Sequence, residues 1–173
     1  VDNVIAAVES KFAYPVIVKP VNLGSSIGIS KADNKSGLEK ALAGAFTFAD
    51  KVLVEPAITE LKEINCAVLG DGDEATASEC EEPLNAHEIL SFQDKYMSGG
   101  AKSGGSKGMQ SLQRRIPADI TPEARQEIQD MAVRAFQYLD CNGVARIDFM
   151  IDKATGKIYF NEINTIPGSL SFY

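Results

Sequence analysis

Two acids, an amide and an arginine fall at strand spacing near the end of the chain, in Arg146-Ile-Asp148-Phe-Met-Ile-Asp152 and Phe160-Asn-Glu162-Ile-Asn164. Side chains alternate faces along a strand, so Arg146 and Asp148 share one face of the first run, and Glu162 and Asn164 share one face of the second. Lys153 to Gly156 is a turn signal, and folding there brings Asp148 within about one residue of lying opposite Glu162. Carboxylate and amide oxygens are what a hard cation such as Mg²⁺ accepts, and that ion usually completes its shell with water and substrate phosphates. The plain alternative is a hairpin with a solvated polar face. Against it, the polar set gathers at one end, while Ile147, Phe149, Ile151, Ile158 and Phe160 fill the rest. A calcium loop starting at Asp152 is excluded, because Ala154 and Gly156 stand where it requires oxygen ligands.

A second candidate lies near the start. Tyr14-Pro-Val-Ile-Val-Lys19 is a β-branched run, and Asn22-Leu-Gly24-Ser25-Ser26-Ile-Gly28 leads out of it into Ile29-Ser30-Lys31. Strand, Gly/Ser loop, strand is the simplest assignment. Such a loop offers backbone N–H groups and two hydroxyls without bulky side chains, so it can close around phosphate oxygens, with Lys19 aimed into the same region. It matches neither a Walker pattern nor GxGxxG, and a Gly/Ser hairpin turn stays open as its other reading.

The elements that must hold these groups follow from periodicity. Leu38, Ala41, Leu42, Ala45 and Phe48 are at helical spacing after plausible N-caps in Asp33, Asn34 and Ser36, and Lys51 to Pro56 is a strand ending at Glu55. With Val4, Ile5, Val8 and Phe12 as an opening helix, residues 1–56 read as helix, strand, loop, strand, helix, strand. A second unit over 57–173 starts with an alternating strand from Glu63 to Leu69, turned at Gly70-Asp-Gly72, with Ala75 to Cys80 as its partner. Glu79, Glu81 and Glu82 read as a solvated edge. Thr121-Pro122 is a helix start, and Ala124, Ile128, Met131, Ala132, Ala135, Phe136 and Leu139 form an apolar stripe that Asn142-Gly143 ends. Met97 to Ser111 holds five glycines, four serines and two lysines. That composition fits a lid, which would carry Lys102 and Lys107 over phosphate, as well as it fits disorder.

Composition bounds the rest. The 173 residues are 45% hydrophobic with a net charge of -7, an ordinary globular balance that argues against nucleic-acid and anionic-membrane surfaces. No run of apolar residues is long enough to span a bilayer, and no signal peptide is seen. Three widely spaced cysteines, Cys66, Cys80 and Cys141, form no CxxC pair and read as structural thiols in a reducing compartment. His87, the one histidine, has no nucleophile pattern around it. The chain starts without Met inside a helical pattern and stops just past the polar cluster, as a fragment of a longer enzyme would.

Taken in order and spacing, Lys19 with its Gly-Ser-Ser loop, Glu55, Lys95-Tyr96, Arg146-Ile-Asp148 and Glu162-Ile-Asn164-Thr-Ile-Pro-Gly168 resemble the ATP-grasp ligases, above all the D-alanine–D-alanine ligases. The resemblance covers nearly the whole chain. It implies an α+β fold of two subdomains with mainly antiparallel sheets sandwiching the nucleotide: a central subdomain over 1–56, and a C-terminal subdomain over 57–173 with a lid near 92–111. It implies that Lys19, Gly24, Ser25 and Ser26 meet ATP phosphates, that Glu55 and Glu63 bind the adenine amino region and the ribose hydroxyls, and that Lys95 reaches the γ-phosphate. Ser25 would bond Tyr96 of the lid. Asp148, Glu162 and Asn164 would hold two Mg²⁺ ions, or Mn²⁺ in their place, and Arg146 and the Gly168 N–H would face the oxyanion. The activity implied is cytoplasmic, ATP-dependent joining of two D-alanines through an acyl phosphate for peptidoglycan precursors, in partnership with an N-terminal domain, and it allows a homodimer of the full-length enzyme. The resemblance also implies that the fragment by itself is inactive. Tyr173 stands where the family usually has Ser for the second substrate's carboxylate. A D-alanine–D-lactate or D-serine ligase, another carboxylate–amine ligase, or a non-catalytic nucleotide-binding module is therefore the alternative.

Overall fold

Val16 and Val18 alternate with Ile17 and Lys19, and this period of two becomes β1 (Val16–Pro20), the middle strand of a small sheet. The computed structural model describes residues 2–24, 26–71, 73–84 and 114–167, which divide into one unit ending at Ile58 and another beginning at Thr59. In the first, β1 pairs antiparallel with β2 (Ser30–Ala32) on one side and β3 (Val52–Pro56) on the other. Val16 and Val18 are fully buried with residues of α1 (Asp2–Glu9) and α2 (Lys35–Ala45). Leu38, Ala41, Leu42 and Ala45 give α2 its buried stripe, and Asn34 starts it by accepting the Gly37 N–H at 2.9 Å. Each valine or leucine side chain so taken from water stabilises by about 1.5–3 kcal/mol, and each alanine methyl by less. By alternation, Ile17, Lys19, Leu53 and Glu55 occupy the opposite face of the sheet.

The second unit is a five-stranded antiparallel sheet in the order β6-β5-β4-β7-β8, formed by β4 (Leu61–Gly70), β5 (Ala75–Pro83), β6 (Arg114–Arg115), β7 (Gly143–Asp152) and β8 (Ile158–Asn164). One face is apolar. There Ile64, Cys66, Val68, Cys80, Ala145, Ile147 and Phe149 pack with Ile128, Ala132 and Phe136 of α3 (Pro122–Tyr138). Cys66 and Cys80 are register partners, fully buried and reduced. The Cys66–Cys80 hydrogen bond, and then burial, push the Cys66 thiol well up, so it stays protonated.

Helix α3 begins as its sequence predicts, with Thr121 Oγ1 accepting the Ala124 N–H at 3.2 Å and proline next to it. Its end differs from expectation. Gly143 opens β7 instead, and the helix is closed by Asp140 in the left-handed conformation (φ 51°), with Cys141 N–H donating to Phe136 O and Asp140 N–H to Gln137 O, both at 3.0 Å. This is a Schellman closure with Asp in the place glycine usually takes. Leu139 therefore leaves the buried stripe and is 54% exposed.

The acid run on β5 also departs from expectation. Glu81 is 3% exposed, not solvated, because the two-residue β6 brings Arg114 to 3.4 Å from it. Glu82 meets Lys62 and Arg115, each at 3.4 Å, and accepts the Asp119 N–H at 3.1 Å. Glu79 lies 3.1 Å from Arg125 Nε, a charge contact without the alignment of a hydrogen bond. Among the described residues no helix is long and apolar enough to cross a membrane.

Candidate functional site

In the second unit the polar cluster lies on the sheet face away from α3. Asp152 closes the turn that makes the hairpin, taking the Ala154 N–H at 3.0 Å and the Thr155 hydroxyl at 2.7 Å. From there β7 and β8 pair Ile151 with Ile158 and Phe149 with Phe160, then shift by one residue so that Asp148 faces Glu162 and Arg146 faces Asn164. The extra residue is Asn161. Without this bulge Asp148 would face Asn161, and Glu162 would stand opposite the core residue Ile147, since a one-residue slip exchanges the faces of every side chain beyond it. The bulge lets Ile158, Phe160 and Ile163 all turn to the apolar side while Glu162 and Asn164 turn to the other.

Within the cluster Asp148 is the hub. Arg146 Nε donates to its Oδ1 at 2.7 Å and Nη2 to its Oδ2 at 2.8 Å, a two-pronged ion pair whose side chains are only 15% and 16% exposed. Such charge-assisted, planar pairs are about twice as strong as neutral hydrogen bonds. Asn164 Nδ2 donates to Oδ2 at 2.9 Å. A carboxylate has about four acceptor directions, so Oδ2 is filled while Oδ1 keeps one. Glu162 is exposed and takes no hydrogen bond among the described residues. The set therefore presents hard oxygens on one rigid sheet face, which fits a hard divalent cation with room for water in its shell. Among the described residues no group of three or more His, Cys, Asp and Glu is gathered that could hold a metal ion; this cluster brings together two such acids and one amide.

Glu63 shares that face on β4, two residues before Asn65, and register places Asn65 opposite Asp148. Asn65, Glu81 and Arg114 were not singled out from the sequence. Asn65 was legible, since it has the same parity as Glu63 in an alternating strand. Glu81 and Arg114 were not, because 33 residues separate them and only sheet pairing joins them.

The first unit carries the other candidates. Lys19 Nζ lies 2.9 Å from Glu55 Oε1, a diagonal pair on the sheet face opposite the helices, with side chains 20% and 28% exposed. The loop after β1 is held by two turn bonds, Ile27 N–H to Gly24 O at 3.2 Å and Ile29 N–H to Ser26 O at 3.3 Å. Ser26 and Gly28 have φ of 58° and 75°. A Cβ at Gly28 would stand 2.8 Å from Pro20 Cγ and 2.9 Å from Phe48 Cδ2, whereas one at Gly24 would meet nothing within 4 Å. The N–H groups of Gly24, Ser26 and Gly28 donate to nothing among the described residues. Open amides in a small-residue loop form an anion-binding concavity.

Ser25, His87, Lys95, Tyr96, Gly168 and Tyr173, together with the glycine-rich stretch 97–111, lie outside the described residues.

Comparison with known proteins places these features in context. The family model described as D-ala D-ala ligase C-terminus matches residues 1–173. A D-alanine–D-alanine ligase of Acetivibrio thermocellus is 43% identical over 100% of this chain and 43% of its own length, and one of Caldicellulosiruptor bescii is 44% identical over 99% and 44%. The chain thus spans less than half the length of these curated relatives. Among solved structures, the VanG D-Ala:D-Ser ligase from Enterococcus faecalis superposes with a TM-score of 0.75 at 32% identity, over 96% of this chain and 45% of that one. The D-alanine–D-alanine ligase from Coxiella burnetii gives 0.73 at 29% identity, over 96% and 39%.

Proposed function

The chain belongs to the D-ala D-ala ligase C-terminus family, and on that premise we propose that it supplies the nucleotide- and cation-binding part of a cytoplasmic, ATP-dependent ligase joining two D-alanines for peptidoglycan precursors. The observation that carries this reading is the Asp148–Arg146–Asn164 network with Glu162 beside it, held on one sheet face by a register shift. In this reading Asp148, Glu162 and Asn164 hold Mg²⁺, which when bound neutralises the charge that develops on the transferring phosphoryl group. Lys19 and the amides of Gly24, Ser26 and Gly28 receive ATP phosphates, with Ser25 in the same loop and Lys95 on the γ-phosphate. Glu55 and Glu63 take the adenine amino region and the ribose hydroxyls.

The acceptor carboxylate of one D-alanine attacks the γ-phosphorus and ADP leaves, giving an acyl phosphate. The amine of a second D-alanine then adds to the acyl carbon and phosphate departs. Arg146, with the Gly168 N–H, faces the oxyanion of that addition, where loss of one donor costs about 3 kcal/mol. The rest of the substrate enclosure, Tyr96 included, belongs to the same proposal, as does the N-terminal domain that the length of the relatives implies. The second reading is a D-alanine–D-serine ligase, supported by the VanG neighbour; Tyr173, where the dipeptide ligases usually carry Ser, bears on the choice of second substrate.

Calorimetric titration with a non-hydrolysable ATP analogue and Mg²⁺ tests the site. We expect metal-dependent binding in the wild type and none in an Asp148→Asn, Glu162→Gln double variant; equal binding by both would remove these residues from the nucleotide site. Phosphate release by the full-length enzyme, with D-alanine against D-serine as the acceptor, then separates the two substrates.

A further inference from the structure

Asn65 lies in a row that crosses four strands. Register pairs it with Glu81 of β5 on one side and with Asp148 of β7 on the other, and Asp148 is paired in turn with Glu162 of β8. Residues directly opposite share a face, with Cβ atoms about 5 Å apart. One neutral amide therefore separates a buried carboxylate from the carboxylate at the centre of the cluster.

The orientation of that amide is set by charge. Asn65 Nδ2 donates to Glu81 Oε1 at 3.4 Å, and the other Glu81 oxygen faces Arg114 Nη1, also at 3.4 Å. Ionised Glu81 only accepts, so the amide nitrogen must turn toward β5 and the amide oxygen away from it, to the side of β7. Nothing among the described residues donates to that oxygen.

Resting on the cation site read above, we propose that Asn65 is a positioning residue for the divalent cation at Asp148. Its Oδ1 accepts a hydrogen bond from a water in the cation's shell, and the Glu81–Arg114 pair keeps the amide turned the right way. A hard cation of this kind retains several waters, and each water proton needs an acceptor. Groups that orient a coordination shell typically change metal affinity by roughly ten-fold or more.

The test uses Mn²⁺ as the probe, in the presence of a non-hydrolysable ATP analogue, with binding read from water-proton relaxation and folding from thermal melting. Asn65→Leu keeps the shape but loses the acceptor, and should weaken Mn²⁺ by roughly ten-fold. Asn65→Asp keeps an acceptor facing β7 and adds charge, so it should bind Mn²⁺ at least as tightly as wild type, while melting lower because a carboxylate now faces Glu81. If Asn65 served only Glu81, both variants would melt lower and Mn²⁺ affinity would be unchanged or fall alike, and that outcome overturns the proposal. Asn65→Ala supplies the same test where the leucine variant does not fold. Asp148→Asn guards the premise: Mn²⁺ binding that survives it refutes the cation site itself, whereas binding lost there but untouched by Asn65→Leu refutes only the role of Asn65.

Discussion

The two units meet the problem of holding charge in opposite ways. In the second, Asp148, Arg146 and Asn164 bond one another on a paired sheet face, and Glu81 and Arg114 form a separate pair toward its edge. In the first, one ion pair between Lys19 and Glu55 sits beside a loop whose amides at Gly24, Ser26 and Gly28 have no acceptor among the described residues. A network closed on itself keeps its geometry before any ligand arrives. An open loop leaves hydrogen bonds to be made by whatever enters. The difference is that between a site organised by strand register and one organised by backbone conformation.

That contrast can be broken most sharply at Glu81. Glu81→Ala removes a buried carboxylate that faces both Arg114 and Asn65, and should cost about 3 kcal/mol in urea unfolding; a loss under 1 kcal/mol would mean that water replaces the carboxylate. Glu81→Gln should recover part of it. In the first unit the larger sensitivity should lie in the backbone. Gly28→Ala introduces a side chain at φ 75° and against Pro20, and should cost about 2 kcal/mol by the same measurement. Lys19→Met should fall below both, at about 0.5 kcal/mol, because ion pairs with this much solvent contribute little to stability. If Lys19→Met proved as costly as Glu81→Ala, the distinction between the two units would fail.

Much of this was readable from residue order. The hairpin was legible from its alternation and turn, and period set Arg146 beside Asp148 and Glu162 beside Asn164 on their own strands, while the meeting of the two pairs depends on the bulge at Asn161. The α+β class and antiparallel sheets came from the same patterns and from the family resemblance. What escaped was whatever depends on pairing between distant segments. Glu81 looks like one more acid in a charged run until β6 brings Arg114 alongside. Asp140 looks like an ordinary helix-end polar residue, and glycine at 143 is the stronger local stop signal, yet the chain turned three residues earlier. The register shift in β8 had a visible trace, since Ile158 and Phe160 keep one phase and Ile163 takes the other. A strict alternation would have put one of them in water.

The bulge at Asn161 also bears on how this strand can vary over time. Asn161 is the one residue between Phe160 and Glu162, and the ladder pairs continue on both sides of it. Loss of its codon would leave Glu162 directly after Phe160, and plain alternation would then still set Ile163 toward the core and Glu162 and Asn164 away from it. Site and core on β8 would thus keep their sides through a one-residue deletion at the bulge.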